Sequence, residues 1–171
     1  MKYSIVYSKR KTIGLKVKDG GLTVFAPRGT SAKHIEAIVN KHSAWIENAL
    51  RRDAAKNALY ADLDDERIEA LKREAEIYFR EKCAHYASVM GLSYSKMSIT
   101  SAKTRFGSCS SRKTICFSYR LMLYPEAARE YVIVHELAHL LEMNHSAKFY
   151  KIIEKYMPDY KERKGLLKIK A

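Results

Sequence analysis

The sequence predicts an α+β chain: a small amino-terminal sheet and helix, followed by a larger domain with a long helix, a short antiparallel sheet and an apolar helix carrying a histidine motif. Three observations predict it. Hydrophobic residues alternate with period two between residues 2 and 26 and again between 97 and 123. They recur at helical spacing over 31–50 and 66–90, and the segment 131–141 is apolar apart from two histidines and one glutamate. The boundary is expected near residue 60, giving an amino-terminal domain 1–60 and a catalytic domain 61–171.

Residues 3–7, 13–17 and 22–25 read as three strands of an antiparallel β-meander, with Asp19-Gly20-Gly21 as the stronger turn signal. Pro27 ends this sheet. Ser31 is a credible N-cap for one amphipathic helix, along which Ile35, Ile38, Val39, His42, Trp45, Ile46 and Leu50 share a face. His34 and His42 are expected at its surface or edge. A break over 57–65 precedes a long helix, 66–90, which Gly91 stops as a left-handed C-cap.

Met97 and Ile99 then mark one short strand, and Ile115, Phe117, Tyr119, Leu121 and Leu123 a second. Between them lies Arg105-Phe106-Gly107-Ser108-Cys109-Ser110-Ser111-Arg112-Lys113, read as a hairpin in which Gly107 permits a bulge or a close backbone approach. Pro125 opens the next helix, and two helical segments, 146–157 and 158–168, complete the chain.

Composition narrows the function classes. An apolar content of 47% over 171 residues is enough for a sizeable core. No run is long enough to cross a bilayer and the first residues lack the apolar core of a secretion signal, so the cytoplasm is the expected compartment. Cys83, Cys109 and Cys116 form no C-x-x-C pair and suit reduced, buried thiols better than a disulfide framework or a nucleophile. The net charge of +13 is uneven: residues 96–125 hold Lys96, Lys103, Arg105, Arg112, Lys113 and Arg120 with no acidic residue. A solvated surface explains this stretch, and an anionic substrate or nucleic acid nearby is the rival explanation.

The chemistry concentrates in His135-Glu136-Leu137-Ala138-His139 and in His145, six residues on. On a helix the first two histidines stand one turn apart on one face, so both imidazoles can reach one metal ion, Zn2+ by preference. Glu136 lies about a quarter-turn round, a poor ligand beside them but well set to act as general base toward a zinc-bound water. A catalytic zinc takes three protein ligands and keeps one position open. His145 matches the third ligand of the long H-E-x-x-H-x-x-G-x-x-H pattern, with Glu142 in place of the glycine and Asn144 as the residue able to adopt a left-handed turn. Glu142 and Glu154 are the acidic rivals and rank below His145, because a histidine lies closer in sequence and Ser146 directly after it caps a helix.

The stretches 105–110, 131–140 and 144–149, with Ala26-Pro27-Arg28-Gly29, Trp45-Ile46 and Pro158-Asp159-Tyr160-Lys161, resemble the YgjP-like metallopeptidase family over nearly the whole chain. One departure is Phe106, where that family usually has tryptophan. The resemblance implies a zincin-like catalytic domain related to SprT-like and WLM proteases, with three histidines on zinc and a glutamate base falling on His135, His139, His145 and Glu136. It also implies two rival substrates, since such proteins are described either as metalloproteases or as hydrolases with a suggested UTP pyrophosphatase activity.

Three functions follow as expectations. A zinc metallopeptidase would use Glu136 as base and pair an extended polypeptide substrate with a strand between 105 and 123, drawing on Arg105, Gly107, Ser108, Arg112 and Lys113. A pyrophosphatase would use the same cations for a nucleoside triphosphate. A nucleic-acid-binding module would keep the zinc structural and rely on the basic amino-terminal region.

Overall fold

A computed structural model of the chain describes residues 2–168, which divide into two compact units, 2–62 and 63–168. Among the described residues there are six strands, six α-helices and one 3₁₀ helix, a mixed α+β architecture with two three-stranded sheets.

The first unit comprises β1 (Ser4–Ser8), β2 (Gly14–Lys18), β3 (Gly21–Pro27), α1 (Ala32–Lys41) and α2 (Ser43–Ala61). The Asp19-Gly20 turn joins β2 to β3 as the sequence predicts, both residues adopting positive φ of 50° and 75°, the geometry of a type I′ hairpin. The meander does not form. β3 lies between its neighbours in the order β1-β3-β2, parallel to β1 and antiparallel to β2. The reason lies in burial: Leu22, Val24 and Ala26 of β3 are buried at 3% exposure or less, whereas β1 is largely exposed, so the apolar strand takes the centre. The five residues 9–13 can span two inter-strand spacings past the end of β3, since an extended chain reaches about 17 Å in that length.

The single helix expected from Ser31 is also two helices. Ser31 does cap α1, its hydroxyl accepting from the His34 N–H, but the chain breaks at His42 and α2 then continues past Asn57 to Ala61. Ile35, Val39 and Ile46 close this unit's core under β3.

The second unit is built round α3 (Asp65–Met90), which Asp64 caps at its start and Gly91, at φ 65°, ends as predicted. β4 (Lys96–Thr100), β5 (Gly107–Cys109) and β6 (Thr114–Ser118) follow, then a 3₁₀ helix (Tyr119–Leu123), α4 (Glu126–Ala138), α5 (Ala147–Tyr156) and α6 (Tyr160–Gly165). The β5–β6 hairpin is present, with Lys113 at φ 57° in its turn. The sheet as a whole is mixed rather than antiparallel: β4 pairs parallel with the far side of β6, giving the order β4-β6-β5. That placement lets Met97 and Ile99 pack on the core under α3. The strand expected to run on to Leu123 stops at Ser118, whose buried hydroxyl donates to the Ala102 carbonyl and accepts from the Arg120 N–H, starting the 3₁₀ helix.

Leu71, Ala75, Phe79 and Cys83 on α3 meet Ile115 and Phe117 on β6, Ile133 and Leu137 on α4, and Phe149 and Ile153 on α5. Phe79 stacks on Phe117 with centroids 4.6 Å apart, and this contact fixes α3 against the sheet. No described helix is long and apolar enough to cross a membrane.

Candidate metal centre

α4 is apolar on nearly all sides: Tyr131, Val132, Ile133, Val134, Leu137 and Ala138 are buried. Pro125 precedes it and its carbonyl accepts from the Ala128 and Arg129 N–H groups, so the missing proline donor costs the first turn nothing. His135 sits in the last turn and His139 is the C-cap, still right-handed at φ −65°, which keeps the two rings one turn apart on one face.

Beyond His139 the helix tightens and unwinds, with Leu140 N–H bonding Leu137 O and Leu141 N–H bonding Ala138 O. Asn144 does not take the left-handed conformation expected of it. The only non-glycine residues with positive φ among those described are Asp19 and Lys113. The return is made instead by a chain of hydrogen bonds, Asn144 N–H to Glu142 Oε1 at 3.5 Å and Ser146 N–H to Asn144 O at 2.8 Å. Ser146 then caps α5, its hydroxyl accepting from the Phe149 N–H.

His135, His139 and His145 converge, with one ring nitrogen of each within 4.8 Å of the others. The Nε2 atoms of His135 and His145 are 3.1 Å apart, close to the separation of two nitrogens on a tetrahedral ion with bonds of about 2.0–2.1 Å. His139 Nδ1 lies 3.1 Å from the Glu142 carbonyl, and a carbonyl accepts only from an N–H, so Nε2 of His139 keeps its lone pair for a metal. His135 Nδ1 lies 3.3 Å from the Tyr131 hydroxyl, which leaves Nε2 facing the cluster. Burial, and after it the neighbouring His139 and His145, pushes the His135 pKa down to about 3, and burial likewise lowers that of His139. Three imidazoles whose ring nitrogens converge fit a divalent metal ion.

The rival donors are engaged elsewhere. The Glu142 carboxylate holds the Asn144 N–H and stands 3.7 Å from Lys148 Nζ, and Glu154 is exposed on α5. Phe149, fully buried, forms the floor of the cluster, its ring 4.9, 4.5 and 4.9 Å from those of His135, His139 and His145.

Glu136, next to His135 on the same turn, is 5% exposed and lines a cleft together with it. Burial pushes its carboxyl up to about 7, against the opposing pull of the Arg105 guanidinium. β5 runs so close that a Cβ on Gly107 would lie 2.6 Å from Glu136 Oε1, the close approach that this glycine predicts. Ser108 is half-buried in β5 opposite Cys116, whereas Arg112 and Lys113 are exposed in the hairpin turn, away from Glu136. A cleft of about 370 Å³ opens between Gly107 and His135, walled by Phe106, Tyr131, Val132 and Leu167, with Lys164 and Lys168 also lining it. Sequence reasoning assigned no role to Tyr131, Phe149 or these two lysines. Tyr131 stands four residues before His135 on the same helical face, and Phe149 four after His145, so the spacing held that signal.

Among known proteins, a family model described as YgjP-like, metallopeptidase domain, matches residues 11–67 and 53–170. The crystal structure of the metallopeptidase zymogen of Pyrococcus abyssi abylysin is 24% identical with a TM-score of 0.47, over 52% of this chain and 90% of that one. That of Methanocaldococcus jannaschii jannalysin, also a metallopeptidase zymogen, is 21% identical with a TM-score of 0.47, over 52% of this chain and 92% of that one. No curated protein matches the chain.

Proposed function

Because the chain belongs to the YgjP-like metallopeptidase family, we propose that it is a zinc-dependent peptidase with a zincin-like catalytic domain, in which His135, His139 and His145 hold the ion and Glu136 is the general base. The observation that carries this reading is the meeting of three imidazole nitrogens within 4.8 Å beside a buried carboxylate on the same helix. When bound, zinc supplies a Lewis acid that acidifies water and draws electron density from a carbonyl. Glu136 takes the proton from the attacking water and passes it to the leaving amine. β5 is an edge strand, so its outer side offers backbone donors and acceptors to an extended substrate directly beside Glu136. Phe106, Tyr131, Val132 and Leu167 then receive an apolar side chain.

Lys164 and Lys168 favour a second reading, hydrolysis of a nucleoside triphosphate such as UTP, because two cations facing one cleft suit a polyphosphate. One experiment separates the two. Zinc-loaded protein is incubated with unfolded polypeptide, with protein bound to DNA and with UTP, each with a chelator control and each repeated with Glu136→Gln. Chelator-sensitive peptide fragments that vanish in the variant support the peptidase. Pyrophosphate release from UTP with no peptide cleavage rejects it in favour of the second reading.

A further inference from the structure

Among the described residues β4 has a strand partner on one side only. In the order β4-β6-β5 its inner edge pairs with β6, and its outer edge carries a row of backbone N–H and C=O groups outside the sheet. Its polar side chains do not close that edge: Ser98 Oγ meets Cys116 Sγ at 3.2 Å and Thr100 Oγ1 donates to the Phe117 carbonyl at 3.4 Å, both toward β6. Met97 and Ile99 pack on the core and hold the strand in place.

A cleft of about 550 Å³ runs between this strand and the flank of α3, lined by Lys72, Arg73, Glu76 and Arg80 together with residues 96–101. Four cations face one carboxylate there. Glu76 pairs with Arg80, and Lys72 pairs with Glu69 at 2.6 Å, but Arg73 and Lys96 form no ion pair among the described residues and both are exposed. The groove therefore combines a free strand edge with an excess of positive charge, since Glu69 and Glu76 are the carboxylates set against Lys72, Arg73, Arg80 and Lys96.

We propose that the outer edge of β4 docks an acidic, extended polypeptide segment, which adds a fourth strand to the sheet. The backbone edge selects a polypeptide, because only another strand matches its alternating donors and acceptors. The cations select its sign. They also disfavour a second copy of this surface as the occupant, because it would bring two cation-rich groove walls together. A nucleic-acid strand is the weaker fit, since no aromatic side chain lines the groove for a base to stack on. β4 and β5 lie on opposite edges of the sheet, two strand spacings or roughly 10 Å apart, so this surface does not depend on the metal centre or on the reaction assigned to it.

The test uses the full chain and a fluorescein-labelled octapeptide alternating glutamate and threonine. Its controls are the lysine–threonine counterpart, a dodecamer of thymidylate, and the doubly substituted Arg73→Glu, Lys96→Glu protein, whose thermal melt checks its fold. The acidic peptide is expected to bind, to slow amide exchange in residues 96–100, and to lose at least tenfold in affinity in the substituted protein. Chelator is expected to leave its binding unchanged. Equal binding of the lysine peptide, binding without protection of β4, loss of binding on chelation, or binding of the oligonucleotide in place of the peptide would each overturn the proposal.

Discussion

The carboxylate of Glu136 fills the space in which a side chain on Gly107 would begin: a Cβ there would lie 2.6 Å from Oε1, 2.7 Å from Cγ and 2.9 Å from Cδ. Two elements distant in sequence, a hairpin strand and the last turn of a buried helix, thus share one small volume. Whatever changes the backbone at 107 moves that carboxylate.

Gly107→Ala is accordingly expected to displace Glu136 while leaving the three histidines where they are. Peptide hydrolysis should fall by roughly two orders of magnitude, as a misplacement of about 1 Å in a reacting group does. Zinc affinity, read by competition with a chromophoric chelator, should change by no more than a few-fold. An active Gly107→Ala enzyme would show that Glu136 has room to move and that its position does not set the rate.

The buried carboxyl also makes metal-free stability depend on pH. With a folded pKa of about 7 against the usual 4.5, Glu136 contributes stability in its protonated form that is lost as pH rises from 4.5 through 7. Glu136→Gln removes that loss, so the metal-free variant should be more stable than the parent at about pH 8, by on the order of 3 kcal/mol, and should converge with it below about pH 4.5. His135 acts in the opposite direction. Its folded pKa of about 3 lies below the usual 6.5, so stability present above 6.5 is lost as pH falls toward 3, in parent and variant alike. Chemical denaturation of both proteins in chelator across this range checks the crossing.

His145 is exposed and reaches the cluster from a loop, so its removal should cost the fold little. Shared among four coordination positions, a zinc-binding free energy of roughly 10–16 kcal/mol assigns about 3 kcal/mol to one ligand. His145→Ala should therefore weaken zinc binding by roughly two orders of magnitude with an unchanged melting temperature in chelator. Tight zinc binding by this variant would remove His145 from the ligand set.

Tyr131 holds the back of His135 at 3.3 Å, and Tyr131→Phe deletes that contact without opening a cavity. Loss of such an orienting partner typically costs about 10–100-fold in metal affinity. The cobalt-substituted protein offers an independent check, since a ligand ring freed to rotate shifts the visible absorption bands. An unaltered spectrum and affinity would assign Tyr131 to packing alone.

Local signals carried some of these features and not others, for physical reasons. The carboxyl end of α3 was legible because a left-handed glycine acts within a few residues of itself, whereas the Asp64 cap at its start was not read from the sequence. The meeting of His135, His139 and His145 was legible because helical spacing of four, and a short return of six, leave the rings few other places to go. Strand order was not, because alternation records that one face of β3 or β6 is buried and says nothing of which strand lies on either edge. The break at His42 is marked by neither glycine nor proline. The turn at Asn144 is carried by the Glu142 carboxylate and carbonyl, contacts between groups that no periodic pattern encodes. Gly107 was recognised as a place of close approach, but the neighbour that demands it lies 29 residues away on another element.

Phe149 and His145 belong to one short stretch that Ser146 ties into α5, so the third donor and the ring beneath all three donors arrive together. On the proposed metal-binding reading, the grip on an ion is a property of how firmly α5 seats, and a change that merely loosens this ten-residue helix is expected to abolish binding with every histidine intact. Control over such a protein needs no competitor for the metal; leverage on one short helix suffices.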